Sequence, residues 1–512
     1  MSFKKTLGVL AVGAVLAVSA ISVAGCKKGD GLAEKMFDFG EDYYKSVSER
    51  YSVNYDEMIY DDFTGGIDSS RWVISDSVWD QWSTDQNGVR PQNVFLVNDA
   101  DNPDTHLLLR ANGSYYNMED DKQYTEAEKA QYGNGKTLFT PSQGNGVNAG
   151  ACLSTVEALG PGRYEVKMKP CPRVGALTSM WAYSWFTKND GSVQQNEIDI
   201  EIGLQPNFSQ VFFTTWTSPS NNTNMPTNVD YYVNDGNWHV YTFDWVVDAE
   251  VPYVDYFIDG VKVLTIDSNV PTTNATLNLG IWCPSWSGGG VVAPDNGNIS
   301  TDSRMFDSDF AEISWWRYIP FQMDNWEQRP VQNRNFAEGY TPKTLDSVPQ
   351  ANKCANGDFE RSDYGAYGNV WKDDTVTDTE SSQYVENSKA EIVTEADNSY
   401  AKIENAGQLG QWLRGASKGF KYKLTGKFRT EGEAQAVFGY IHYLGYSVES
   451  PAVGYEDMAL GASSDWKDFT LEFTVDEDGL NDTQSIYYYL TNGTGKGVCC
   501  FDDLNLIYLG NN

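Results

Sequence analysis

Between residues 196 and 203 the chain reads Asn196-Glu-Ile-Asp-Ile-Glu-Ile-Gly203. Side chains alternate faces along a strand, so Glu197, Asp199 and Glu201 share one side while Ile198, Ile200 and Ile202 share the other. Like charges in such a row repel and raise one another's pKa, so the face is either wet or put to use. The chemistry that uses it is glycoside hydrolysis, in which one carboxylate is ionised while another keeps its proton near neutral pH. Four strand residues separate the Cα atoms of Glu197 and Glu201 by ~13 Å, and inward-leaning side chains on a concave sheet close much of that. A carboxyl gap of ~5 Å would imply retention of configuration through a covalent glycosyl-enzyme. Asp199, placed between the two, is positioned to orient the nucleophile and to separate the two pKa values. Two plainer readings stand beside this one: the acidic, solvated face of an amphipathic strand, or a Ca²⁺ ligand set.

The elements that must hold this row are strands. From about Tyr60 onward, short β-branched and aromatic runs are broken by Gly, Asn, Asp and Pro, as in Arg163 to Lys169, Val211 to Thr217, His239 to Val247 and Ala275 to Trp282. That pattern predicts antiparallel sheets packed face to face, an all-β fold. Helix is expected only around Gly40 to Tyr51 and over Thr125 to Gln131. Periodicity fades between Phe321 and Asn352, then a second strand-rich block of the size of one β-sandwich follows. The expected organisation is a signal segment over residues 1–25, a tether over 26–58, a first domain over 59–320, a linker over 321–352 and a second β-sandwich over 353–512.

Composition narrows the function. Thirty-seven basic against 71 acidic residues give a formal net charge of -34, which repels nucleic-acid phosphates and anionic headgroups. No nucleic-acid partner is expected. The N-terminus carries Lys4 and Lys5, an apolar run from Leu7 to about Val23, then Val23-Ala-Gly-Cys26. This is the layout of an export signal, and its end resembles a bacterial lipobox, which implies acylation of Cys26 and an exported lipoprotein held to a membrane of the cell envelope by lipid alone. The plainer alternative is an ordinary cleavable signal with a chance cysteine. The other cysteines, Cys152, Cys171, Cys283, Cys354, Cys499 and Cys500, are scattered; disulfides are permitted in that compartment, and their connectivity cannot be read from spacing. With no Cys-x-x-Cys pair and three separated histidines, His106, His239 and His442, neither a zinc site nor a Cys/His dyad is expected.

Glu197-Ile-Asp-Ile-Glu201 resembles the signature of glycoside hydrolase family 16, the β-glucanases with a concanavalin-like jelly-roll. The resemblance extends over about residues 60–320: Asp61-Asp-Phe-Thr-Gly-Gly-Ile-Asp-Ser-Ser-Arg-Trp72, Leu153-Ser-Thr-Val156, Gly162-Arg-Tyr-Glu-Val-Lys-Met-Lys169, Trp238-His-Val-Tyr-Thr-Phe-Asp-Trp245, Phe257-Ile-Asp-Gly-Val261, Leu277-Asn-Leu-Gly-Ile-Trp282 and Ala311-Glu-Ile-Ser-Trp315 occur in the family's order. It implies that Glu197 is the nucleophile, Asp199 its assistant and Glu201 the general acid/base, with no cofactor required and a structural Ca²⁺ often bound. The regular Glu-x-Asp-x-Glu spacing is similar to the branch holding lichenases and xyloglucan enzymes. The chain departs from the lichenase pattern at Ala151 and Leu153, read as standing where lichenases carry a Glu and an Arg that grip sugars, and at Gln195, where they carry a Trp.

Sugar rings present apolar faces that stack on indoles. Trp181, Trp185, Trp216 and Trp282 are therefore candidate substrate-binding platforms, with Trp286 a further candidate; for any single one, core packing is the alternative. His239 is expected to be structural. The block from about 354 onward, with Asn356-Gly-Asp-Phe-Glu360, Trp371, Trp412 and Asp465-Trp-Lys-Asp-Phe-Thr-Leu-Glu-Phe473, resembles β-sandwich carbohydrate-binding modules of the family 4 and 9 type. A purely structural sandwich is the alternative. The expectation is a monomeric, retaining endo-β-glucanase acting on β-glucan polysaccharide, mixed β-1,3-1,4-glucan first. The alternatives are a hydrolase or transglycosylase for β-1,3-glucan or xyloglucan, and a surface glycan-binding protein without turnover.

Overall fold

Alternation of apolar and polar residues makes most of the chain strand, and the register of those strands decides what faces the site. The computed structural model describes residues 41–512 apart from 80–86, 114–115, 117–120, 133–147, 189, 204–208, 234, 285–305, 330–335, 338, 361–370, 446–448, 476–483 and 512. Cys26 and Trp286 lie outside the described residues.

The first block is a jelly-roll sandwich of two antiparallel layers. One layer runs, neighbour to neighbour, Trp72–Ile74, Asn148–Thr155, Thr276–Trp282, Leu177–Thr187, Val193–Ile202, Gln210–Ser218 and Asn221–Asn228. The other runs Val261–Ile266, Tyr253–Ile258, His239–Val246, Gly162–Lys169, Ser308–Pro320, Leu107–Asn112 and Val94–Val97. Their facing sides interlock in one core. Ile198, Ile200, Ile202, Leu279 and Leu153 from the first layer share it with Tyr164, Phe243, Trp245 and Trp316 from the second. Burying each large apolar side chain is worth roughly 1.5–3 kcal/mol, so the isoleucine face of Val193–Ile202 fixes which way its carboxylates point.

The stretch 321–352, expected as a linker, is seated on this block. Lys343–Leu345 forms a parallel strand beside Val94–Val97, and bridges tie Phe321 to Val53 and Phe336 to Ser75. Apolar side chains at these points explain the seating: Phe321 stacks on Tyr51 with ring centroids 4.4 Å apart. The helix expected near Gly40 to Tyr51 spans Glu41–Arg50, with Val47 buried against the second layer. The helix expected over Thr125 to Gln131 spans Glu126–Tyr132, its first turn capped by a reciprocal Thr125–Glu128 exchange.

The second block is a sandwich of two five-stranded sheets. One runs Lys372–Asp373, Gln408–Arg414, Ser485–Asn492, Ala436–Tyr443 and Ala452–Gly461; the other runs Lys389–Glu395, Asn398–Glu404, Val498–Asn511, Phe420–Glu431 and Lys467–Thr474. Tyr488 points into its core, while Tyr487 and Tyr489 point to the other face beside Trp412 and Tyr443. The two blocks are fastened together. Val174 of the first packs into the core of the second, and the buried Asp309 carboxylate is bracketed by Lys353 and by Arg173 at 2.9 Å. Cys152, Cys171, Cys283, Cys354, Cys499 and Cys500 are all buried, and among the described residues none is in a disulfide. Among the described residues no helix is long and apolar enough to cross a membrane.

Candidate active site

The strand Val193–Ile202 lies between Leu177–Thr187 and Gln210–Ser218, and antiparallel pairing sets residues opposite each other on the same face. Glu197 stands between Tyr183 and Trp216, Asp199 between Trp181 and Thr214, and Glu201 between Ser179 and Phe212. Moving outward from Trp181, the next rows are Asn278 and then Ser154. These side chains floor and wall a cleft of about 440 Å³ into which all three carboxylates open.

The electrostatics separate the three acids. Burial and the neighbouring charge of Glu197 push Glu201 up to about 8. Burial, then the charges of Glu197 and Glu201, hold Asp199 well above the usual carboxylate range. Asp199 is therefore biased toward its protonated form; it shares a hydrogen bond with Glu197 and accepts one from the Trp216 indole. The Gln195 amide donates to Oε2 of Glu197. Among the described lining residues none is Lys, Arg or His, so the site combines one carboxylate served by neutral donors with two neighbours biased toward the protonated form. That set can supply a nucleophile or charge stabiliser and a proton donor on one strand face. No group of three or more His, Cys, Asp or Glu among the described residues is arranged to hold a metal ion.

The tryptophans divide. Trp181 and Trp282 line the cleft. The Trp181 ring lies across Gly280, where a Cβ would meet it at 2.9 Å, so only glycine admits it there. Trp216 stands beside the carboxylates, half-buried, with its indole on Asp199 rather than on the cleft wall. Trp185 is on the same face, opposite Gln195, but exposed at the strand's far end, outside the cleft lining. Trp79, which the sequence reading did not single out, completes an indole cluster. It meets Trp282 edge-on at 5.0 Å and Trp181 at 6.1 Å.

One reading of the departures is corrected. Ala151 and Leu153 do not face the cleft; both are fully buried in the sandwich core, paired with Ile281 and Leu279. Strand parity makes Cys152 and Ser154 the cleft residues there. Ser154 donates to Asn278 at 2.6 Å, and the Asn278 amide donates to the Trp181 carbonyl at 3.1 Å. Counting alternate residues inward from apolar Leu153 would have assigned Cys152 and Ser154 to the cleft. The role of Trp79 carried no comparable signal, because its strand, Ser77–Trp79, is short. His239 is on the second layer, between Asp259 at 2.7 Å and Asp235 at 3.5 Å, away from the cleft.

Residues 115–302 match the family model described as glycosyl hydrolases family 16. Curated relatives include the beta-glucanase of Paenibacillus polymyxa, 29% identical over 157 residues, which are 30% of this chain and 62% of that protein. The beta-glucanase of Acetivibrio thermocellus is 27% identical over 175 residues, covering 34% of this chain and 48% of that protein. That of Bacillus licheniformis is 30% identical over 128 residues, covering 25% and 49%. The chain thus spans roughly half to three fifths of the length of the curated relatives it matches. Among solved structures, a prokaryotic beta-1,3-1,4-glucanase (lichenase) from a mouse hindgut metagenome is 21% identical, with a TM-score of 0.33, over 51% of this chain and 98% of that one.

Proposed function

On the premise that residues 115–302 form a glycosyl hydrolase family 16 domain, we propose that the protein is an endo-acting β-glucanase that hydrolyses internal β-glucosidic bonds with retention. Mixed β-1,3-1,4-glucan is the first substrate. The observation that carries this reading is the split among the three cleft carboxylates, with Glu201 raised to about 8 and Asp199 well above its ordinary range beside Glu197. Glu201 protonates the leaving glycosidic oxygen as an oxygen of Glu197 bonds to the anomeric carbon. Water then displaces Glu197 while Glu201 takes the water's proton. Asp199 donates to Glu197 and keeps it aimed.

The relatives named beta-glucanase support this substrate class, and the cleft's chemistry agrees with it. Three acids and the absence of cations among the described lining residues disfavour a sulfated or uronic polymer, whereas the indoles of Trp79, Trp181 and Trp282 suit neutral sugar faces. Trp216 and Trp185, at the carboxylates and the strand end, would add contacts further along an extended chain. In the second block, the 81%-exposed Tyr455 and the half-buried Trp412, in one row across the sheet through Tyr487 and Ile441, support an added glycan contact. Acylation of Cys26 would hold this monomer at the cell envelope; fatty-acid labelling lost on Cys26→Ser tests that.

Reducing-sugar release from lichenan, laminarin, xyloglucan and carboxymethylcellulose, by wild type and Glu197→Gln, tests the catalytic reading. Turnover of lichenan that disappears in the variant is expected. Binding of glucan without turnover by the wild type would favour a glycan-binding protein, and activity that survives Glu197→Gln would remove Glu197 as nucleophile.

A further inference from the structure

Resting on that assignment of Glu197, we propose that Gln195 is a positioning residue that holds the Glu197 carboxylate ionised and fixes its orientation toward the cleft. Gln195 is two residues before Glu197 on the same strand face, so the backbone itself brings the amide alongside the carboxylate. Its Nε2 donates to Oε2 of Glu197. The strand Gln210–Ser218 begins its pairing only at Glu197, opposite Trp216, so Gln195 projects from a stretch paired on one side only.

The need for such a donor follows from what surrounds Glu197. The titratable groups that face it are Asp199 and Glu201 on its own strand, Tyr183 opposite it on Leu177–Thr187, and Cys152 across the cleft. Trp216 on the other neighbour carries no titrating group. None of these is a cation, and two carboxyl groups compete with Glu197 for charge. An uncharged amide whose NH2 end is turned to the carboxylate favours the ionised form without adding a group that titrates. In the glycosyl-enzyme, the Glu197 oxygen not bonded to the sugar becomes the ester carbonyl, which still accepts hydrogen bonds and so still suits the Gln195 donor. When water's oxygen bonds to the anomeric carbon and the bond from that carbon to Glu197 breaks, the electron pair returns to a carboxylate already solvated by that donor. Gln195 therefore serves both half-reactions without touching the sugar's reacting carbon.

The test is the pH dependence of kcat/KM on barley mixed-linkage glucan for the full chain, for Gln195→Met, which keeps length and loses the donor, and for Gln195→Asn, which draws the donor back by one methylene. In parallel, ¹³C NMR titration follows the Glu197 carboxyl, assigned by its loss in Glu197→Gln. The donor's removal is expected to move the acid limb up by about one pH unit, a roughly tenfold loss of kcat/KM below that limb, with the alkaline limb in place and the Glu197 signal moving the same way. A variant that loses rate equally at all pH values, with an unmoved acid limb and Glu197 titration, overturns the proposal. Should the wild type hydrolyse no glucan, the proposed function falls. The NMR titration needs no substrate and still decides the role of Gln195: an upward move supports it, and an unmoved signal overturns it.

Discussion

Replacing Glu197 by Gln should lower the pKa of Glu201, and by an amount that the strand geometry bounds. Glu201 is pushed up to about 8 first by burial and then by the charge of Glu197. If the two carboxyls lean together to ~5.5 Å, as a retaining pair requires, their repulsion at an effective dielectric constant of ~20 is about 3 kcal/mol, a little over 2 pKa units. If they stand no closer than their Cα atoms, at ~13 Å, the same arithmetic gives about 1.3 kcal/mol, or about 1 unit. Glu197→Gln keeps the shape and removes the charge, so Glu201 should titrate about 1–2 units below its wild-type value, the larger shift going with the closer pair. The assay is ¹³C NMR titration of Glu labelled at its carboxyl carbon, with the Glu201 signal assigned by its loss in Glu201→Gln. A wild-type Glu201 titrating near an ordinary carboxylate would refute the electrostatic account. So would a Glu201 that stays near 8 in Glu197→Gln, since burial alone would then carry the shift. In the wild type, kcat/KM should fall as pH rises through about 8, because the proton donor is then lost.

Trp216→Phe keeps a ring and removes the indole donor to Asp199; kcat should drop roughly tenfold with KM little changed, which steady-state kinetics on a soluble glucan reads. Leu153→Ala should cost roughly 2–5 kcal/mol of stability with KM unaltered, because the residue is in the core. Ser154→Leu, one position on, should instead raise KM with less effect on the denaturation midpoint. His239 is held up to about 9 against burial by hydrogen bonds and charge from Asp235 and Asp259. Its contribution, on the order of 3 kcal/mol, should be fully present below about 6.5 and lost as pH rises through about 9. Urea melts of His239→Gln should show a flatter pH dependence over that window. Asp309→Ala leaves Lys353 and Arg173 facing each other with their side chains only 4% and 10% exposed, so the midpoint of unfolding should fall by an amount equivalent to roughly 3–5 kcal/mol.

The all-β architecture was legible because strand periodicity is a local property. The alternation of Glu197, Asp199 and Glu201 with Ile198, Ile200 and Ile202 determines by itself that the carboxylates share a face, and the isoleucines determine which face, since only they can enter the core. The helix near residues 41–50 and the turn of helix after Thr125 followed likewise from composition close to hand. Where the reading depended on a one-residue offset it failed. Resemblance places Ala151 and Leu153 at the sugar-gripping positions of lichenases, but the register with Ile281 and Leu279 turns them inward and presents Cys152 and Ser154.

Only the tertiary structure could decide the rest, because it depends on contacts between segments distant in sequence. The elevated proton affinity of Glu201 arises from burial by neighbouring strands as well as from Glu197. The indole cluster joins Trp79 to Trp181 and Trp282 across three separate strands. The seating of 343–345 beside Val94–Val97 and the bracketing of Asp309 by Lys353 and Arg173 depend on where the chain returns. The division has a physical reason: a strand's two faces are set by bonds between adjacent residues, whereas solvation, pKa and ring contacts are set by whichever residues the fold brings across the sheet.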